Sequence, residues 1–68
     1  MTKIRALRIE KDLTAKAVAE QLKLDQSVLS FVERRKAKAS DATRLKLSSF
    51  YGVPERELFD DERYARQN

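Results

Sequence analysis

The 68-residue sequence contains no cysteine, no histidine, and only one glycine and one proline. Without cysteine the chain has neither a disulfide framework nor a thiolate zinc site. Without histidine it lacks the commonest metal ligand and the side chain that most often serves as a general base near neutral pH. The scattered carboxylates form no recognisable catalytic pair. We therefore expect no catalytic residue, no metal and no cofactor, and the sequence argues against an enzyme.

Long apolar runs are also missing. Charged residues recur every few positions from the first residues onward, so the N-terminal stretch is neither a signal peptide nor a membrane span. A cytoplasmic location fits this pattern best. A chain of this length forms one small domain, which buries only about 60% of the surface that its unfolded form exposes, so we expect marginal stability.

Positive charge is concentrated in residues 1–54, which hold twelve Lys and Arg against six Asp and Glu. Residues 55–68 hold three basic residues against five acidic ones, and the formal net charge of the whole chain is +4. A basic balance of this kind favours a polyanionic partner such as nucleic acid. Solubility is the other explanation, because small lysine-rich domains are often basic without binding a polyanion.

Residues 15–34 contain two short amphipathic segments separated by a break at residues 23–25. Their apolar residues recur at spacings that place one edge of each segment against a common core; these residues are Val18, Ala19, Leu22, Leu24, Leu29 and Val32. Thr14 and Asp25 are suited to cap two helices, which we predict over Ala15–Leu22 and from Gln26 to about Arg34. The pattern is that of a helix-turn-helix.

Three further helices are predicted from their own start and stop signals. They run from Thr2 to about Asp12, from about Asp41 behind a Ser40 cap to Tyr51 before Gly52, and from Pro54 to Phe59. No strand-like alternation is present. The predicted fold is therefore all-α, a compact five-helix domain over residues 1–59. Residues 60–68 are predicted to be a C-terminal tail, either disordered or a frayed helix extension.

Four stretches of the sequence resemble the phage Cro and repressor family of helix-turn-helix proteins, also called the xenobiotic-response-element class. They are IRALRIEKDLT from Ile4, Thr14 to Ala19, the LxxVER pattern from Leu29, and YGVPERELF from Tyr51. The resemblance covers residues 4–59. It implies a lambda-repressor-like DNA-binding domain, a double-stranded DNA operator as the partner, and a nucleoid-associated protein encoded by a bacterium or phage.

The sequence departs from this family at several positions. Asp12, Lys23 and Arg35 stand where relatives have glycine, which suits the left-handed backbone conformation. A non-glycine residue in that conformation costs on the order of 1 kcal/mol. Ala15 replaces a glutamine that holds a DNA phosphate in relatives, and Phe31 replaces a polar contact residue. We expect these changes to affect stability and binding more than topology.

The resemblance implies that the front of the second motif helix enters the major groove. It directs four side chains toward base edges, namely Gln26, Ser27, Ser30 and Phe31. Gln26 would pair bidentately with adenine, and Phe31 would pack on a thymine methyl group. Each has an alternative, because Gln26 would otherwise be an ordinary solvated residue and an exposed Phe31 would equally anchor a protein contact.

The basic segment after that helix is expected to lie along the phosphate backbone, unless it is only a solvated loop. The predicted phosphate contacts are Arg34, Arg35, Lys36, Lys38 and Arg44. Arg8 and Glu33 are expected to form a partly buried structural ion pair, as the matching residues do in relatives. A homodimer is expected through the C-terminal part of the domain, with an interface formed by Phe50, Tyr51, Val53, Phe59 and Tyr64.

Two functions from different classes remain open. The first is a sequence-specific DNA-binding transcriptional regulator of Cro or repressor type, which binds a pseudo-palindromic operator as a homodimer with its recognition helices about 34 Å apart. The second is a modulator with the same fold that binds another repressor protein and blocks its DNA surface. The second function stays open because the sequence departs from the family pattern at Ala15, at Phe31 and at the positions that lack glycine.

Overall fold

Five helices make up the computed structural model, which describes residues 1–68. They are α1 (Lys3–Glu10), α2 (Ala15–Leu22), α3 (Gln26–Glu33), α4 (Asp41–Tyr51) and α5 (Glu55–Leu58). The all-helical fold predicted from the sequence is confirmed. None of these helices is long and apolar enough to cross a lipid bilayer.

Local capping explains where the middle helices begin. The Thr14 hydroxyl accepts a hydrogen bond from the Ala17 N–H at 3.0 Å. The Asp25 carboxylate accepts from the first free N–H groups of α3, and Ser40 does the same for α4. Each cap satisfies backbone donors that have no partner inside the helix, so the start of each helix is encoded within one turn.

Thr2 is a residue type suited to cap α1, but its side chain does not do so. It occupies the position before α1, but its hydroxyl makes no hydrogen bond to that helix. The hydroxyl instead donates to the Glu33 carbonyl oxygen at 2.6 Å. Thr2 therefore joins the start of α1 to the end of α3.

The core draws at least one fully buried apolar side chain from every helix. The largest of these side chains are Ile4 in α1, Val18 in α2, Leu29 and Val32 in α3, Leu47 in α4 and Leu58 in α5. Burying a side chain of this size stabilises the fold by about 1.5–3 kcal/mol. Leu29 and Val32 lie on one face of α3, so the opposite face of that helix is left outside.

All three positions at which a family glycine is replaced adopt the left-handed backbone conformation. The φ angles are 59° at Asp12, 58° at Lys23 and 60° at Arg35. Gly52, the predicted left-handed stop of α4, has a φ of 67°. Arg63 also has a positive φ, of 73°, which the sequence analysis missed. Each of the non-glycine positions therefore carries the steric cost of a Cβ atom in the left-handed conformation.

Lys23→Gly is therefore expected to stabilise the protein. Relief of the left-handed strain outweighs the extra entropy of an unfolded glycine, giving a gain of about 0.5–1 kcal/mol in urea unfolding. The reciprocal control is Gly52→Ala. A Cβ atom at Gly52 meets nothing within 4 Å, so only backbone strain opposes it. We expect that variant to lose about 1 kcal/mol. Two variants that shift stability in the same direction would contradict this explanation.

Residues 60–68 are neither a helix extension nor disordered, so both alternatives predicted for the tail were wrong. The chain reverses after Phe59 and returns along α5 and the start of α1. Isolated antiparallel bridges join Phe59 to Ala65 and Thr2 to Gln67. The Lys3 N–H donates to the Arg66 carbonyl at 2.9 Å, and Ala65 is fully buried. The segment is held by long-range backbone pairing, which a local sequence pattern does not indicate.

Two residues predicted in a dimer interface lie instead in the core of the single chain. Tyr51 is 8% exposed and Phe59 is 3% exposed. Packing of so small a domain uses both of these aromatic side chains, so they are unavailable to a second copy. Phe50, Val53 and Tyr64 are half-buried and keep part of their surface outside.

Candidate nucleic-acid interface

The outward face of α3 forms one shallow concave surface. Its lining consists of Gln26, Ser27, Ser30, Phe31 and Arg34, which we call the α3 surface. The first four are the side chains that the sequence analysis directed toward base edges, and they lie together. Leu29 and Val32 are buried on the opposite side of the helix. Because these two anchor α3 in the core, the α3 surface is held outward on a rigid element.

Phe31 and Arg34 are in direct contact on this surface. The guanidinium carbon of Arg34 lies 5.3 Å from the centroid of the Phe31 ring, a cation–π geometry. Arg34 Nε also donates to the Ser30 carbonyl oxygen at 3.2 Å. Phe31 nevertheless remains 45% exposed. The surface therefore ends in an arginine whose orientation is set by its own helix.

Val28 is an exposed residue of α3 that the sequence analysis did not select. It is 47% exposed, one of the larger apolar exposures in the chain. Its position in the first turn of the helix, next to Ser27, was the available signal. Val28 lies beside the α3 surface without lining it.

Lys36 and Lys38 follow α3 and are both exposed, as expected for a basic segment facing a polyanion. The Nζ atom of Lys38 lies 5.9 Å from the Tyr64 ring centroid. Arg34 is also exposed. Arg34 belongs to the α3 surface, and Lys36 and Lys38 are two further exposed cations that follow it in the chain.

The structure corrects two predicted phosphate contacts. Arg35 Nη1 donates to the Ala65 carbonyl at 2.7 Å and lies 3.3 Å from the Asp60 carboxylate. Its guanidinium also stacks over Tyr64. This arginine fastens the returning C-terminal segment to the loop after α3, so its charge is compensated within the chain.

Arg44 is likewise held by the protein itself. Its Nη1 atom donates to the Ala39 carbonyl at 2.6 Å, and its Nε atom lies 3.4 Å from the Glu55 carboxylate. Asp41 supplies a further ion pair. A guanidinium with two carboxylates and a carbonyl as partners has little left to offer a phosphate, so we assign Arg44 a structural role.

The turn at Asp60 contains a carboxylate that is bound by backbone N–H groups and by Arg35. Burial by itself would raise the pKa of the Asp60 carboxyl. The N–H groups of Tyr64 and Glu62 and the Arg35 guanidinium outweigh this effect, and they lower the pKa below its ordinary value of 3.8. The carboxylate is therefore ionised at neutral pH and closes the turn that directs residues 60–68 back onto the domain.

The expected ion pair between Arg8 and Glu33 is present and bidentate. Arg8 Nε lies 2.9 Å from one carboxylate oxygen, and Nη2 lies 3.1 Å from the other. The Glu33 side chain is only 4% exposed. Arg8 Nη1 also donates to the Leu13 carbonyl at 2.8 Å. The pair ties the end of α3 to α1 and to the start of the α1–α2 loop.

Tyr51 lies close enough to this ion pair to feel its charges. Burial of the hydroxyl, followed by the nearby Glu33 carboxylate, raises the pKa of Tyr51 to about 12, while Arg8 opposes the shift. The hydroxyl makes no hydrogen bond. Tyr51 is therefore a neutral core residue at physiological pH.

The domain has no cluster of side chains suited to hold a metal ion. No three acidic, histidine or cysteine side chains lie together where they would hold a metal ion. The site consists instead of an exposed polar helix face with an aromatic ring and a cationic edge. Such a surface recognises a partner by shape, charge and hydrogen bonding.

Comparison with known proteins identifies the family. Residues 4–58 match the model of a family described as helix-turn-helix. No curated protein and no solved structure matches the chain significantly. The matched range begins in α1 and ends with α5, so it includes the α2–α3 pair and nearly the whole core. The chain belongs to the helix-turn-helix family of DNA-binding proteins.

Proposed function

We propose that this protein is a sequence-specific transcriptional regulator of Cro or repressor type that inserts α3 into the major groove of double-stranded DNA. The α3 surface carries the proposal, because its five residues, which include the exposed Arg34, lie together on an outward helix face, and two further exposed cations, Lys36 and Lys38, follow it in the chain. A major groove about 12 Å wide admits one α-helix. Membership of the helix-turn-helix family supports the same use.

The side chains of the α3 surface supply the groups that read base edges. The Gln26 amide suits the paired donor and acceptor of adenine. Ser27 and Ser30 are small enough to let the helix approach closely, and their hydroxyl groups both donate and accept. Lys36 and Lys38 would contact phosphates, which contribute affinity and register but no sequence information.

A homodimer on a pseudo-palindromic operator completes the proposal. Two copies would place two α3 helices about one DNA turn apart. Of the aromatic and aliphatic residues expected at such an interface, Phe50, Val53 and Tyr64 keep exposed area.

The proposal is tested by gel shift with duplexes selected from a random pool, over a series of salt concentrations. We expect a preferred sequence, and binding whose logarithm falls linearly with the logarithm of salt concentration, with a slope of about −0.9 per phosphate contact. Gln26→Ala is expected to reduce the preference at one base pair. The matched control is Gln21→Ala, because Gln21 is an exposed glutamine on α2. This variant should keep the full base preference.

Weak binding that ignores sequence would contradict the proposal. In that case a repressor protein captured through Phe31 would indicate a modulator with the same fold. The capture experiment uses the whole chain, with Phe31→Ala as the variant that should lose the partner.

A further inference from the structure

Arg34 occupies a different place from the other basic residues after α3. It lines the α3 surface together with the four expected base contacts, whereas Lys36 and Lys38 lie outside it. Helical geometry explains the placement, because residues three, four and seven positions apart share one face. Arg34 is four residues beyond Ser30 and seven beyond Ser27. A helix that presents this face to the groove would present Arg34 to bases as well.

The contacts of Arg34 also orient its guanidinium group. Nε donates a hydrogen bond to the Ser30 carbonyl oxygen. The guanidinium carbon lies 5.3 Å from the centroid of the Phe31 ring, which packs against the guanidinium group. Nη1 and Nη2 make no protein hydrogen bond, so both terminal donors are free to form a fork. A phosphate needs only positive charge, but guanine presents two acceptors, O6 and N7, that match a fork held in one orientation.

Resting on the proposed function, we propose that Arg34 reads a guanine while Phe31 packs against the methyl group of a thymine in the adjacent base pair. Phe31 keeps 45% of its surface exposed beside Arg34, so an apolar contact and a donor fork are presented together. The Arg34 guanidinium carbon lies 5.3 Å from the Phe31 ring centroid, which is less than two base-pair steps of about 3.4 Å each, so the two side chains reach adjacent base pairs. The operator half-site then contains a G·C pair directly next to an A·T pair.

The inference is tested with the duplex selected by the intact protein and with two modified versions of it. Replacing the guanine with 7-deazaguanine removes the N7 acceptor, and replacing the thymine with deoxyuridine removes the methyl group. Loss of the complete guanine contact corresponds to about a 5- to 150-fold weaker affinity, and 7-deazaguanine should give a part of this loss. Loss of the methyl contact is expected to weaken the affinity for the duplex by about 4-fold.

Two variants identify the residues that read these groups. Arg34→Lys keeps the positive charge but replaces the rigid planar fork with a flexible ammonium group, so we expect selection by this variant to show a weaker guanine preference. Phe31→Ala is expected to bind the thymine and deoxyuridine duplexes equally. Lys36→Ala is the control for a phosphate contact and should weaken all duplexes alike. Both substituted side chains are exposed, and circular dichroism of each variant verifies its fold.

The outcomes separate this inference from the proposed function. A selected sequence without adjacent G·C and A·T pairs, or an unchanged guanine preference in Arg34→Lys, overturns the inference and leaves sequence-specific binding in place. A random pool that yields no preferred sequence overturns both.

Discussion

Arg8→Ala is expected to lower the free energy of unfolding by about 3–5 kcal/mol, the usual effect of leaving a buried charge without its partner. Glu33 is 4% exposed and both of its carboxylate oxygens are bound by Arg8, so the substitution strands that carboxylate in the core. A small domain has a total stability of about 5–15 kcal/mol, so much of it would be lost. Urea unfolding followed by circular dichroism measures the change.

The matched control replaces both members of the pair. A protein with Arg8→Met and Glu33→Leu buries no unpaired charge, and such replacements are often neutral or stabilising by about 1–4 kcal/mol. We expect it to be more stable than Arg8→Ala alone. The explanation is wrong if the free energy of unfolding of Arg8→Ala lies within about 1 kcal/mol of that of the unchanged protein. It is also wrong if the double replacement is less stable than Arg8→Ala.

Ser27→Glu is expected to abolish DNA binding while preserving the fold. Ser27 is exposed and lines the α3 surface, where an added carboxylate would face bases and phosphates. Like charges brought together at an interface cost several kcal/mol, which corresponds to a loss on the order of 10³-fold in affinity. A negative charge in the first turn of a helix is favourable, so stability should not fall. Gel shift and thermal unfolding measure the two properties.

Ala42→Glu is the control for this experiment. Ala42 is exposed and is the second residue of α4, as Ser27 is the second residue of α3. The two variants therefore have the same net charge and the same position relative to a helix N-terminus. Only Ser27→Glu should lose DNA binding. Equal losses would mean that net charge, and not the α3 surface, determines affinity.

Much of the fold was predictable because its signals are local. Thr14, Asp25 and Ser40 satisfy backbone donors two or three residues away, and α2 and α4 have the bounds that the sequence predicted. The residues directed toward bases were also predictable, since the buried face of α3 determines its outer face. Family resemblance contributed the Arg8–Glu33 pair, whose members lie 25 residues apart.

What failed were the assignments that depend on distant partners. Arg35 and Arg44 read as free cations in the sequence, yet carboxylates and carbonyl groups from other segments hold them. Tyr51 and Phe59 read as possible surface residues, yet they fill the core. Neither composition nor spacing indicates which basic or aromatic side chain will find a partner within the same chain.

By itself, then, the sequence determined the helices, the caps of α2, α3 and α4, and the outward face of α3, because each depends on contacts within about one turn of the chain. Only the tertiary structure decided the return of residues 60–68, the burial of Tyr51 and Phe59, and the structural roles of Arg35 and Arg44. These depend on which surfaces meet when the helices pack, and that meeting is set by the whole core at once.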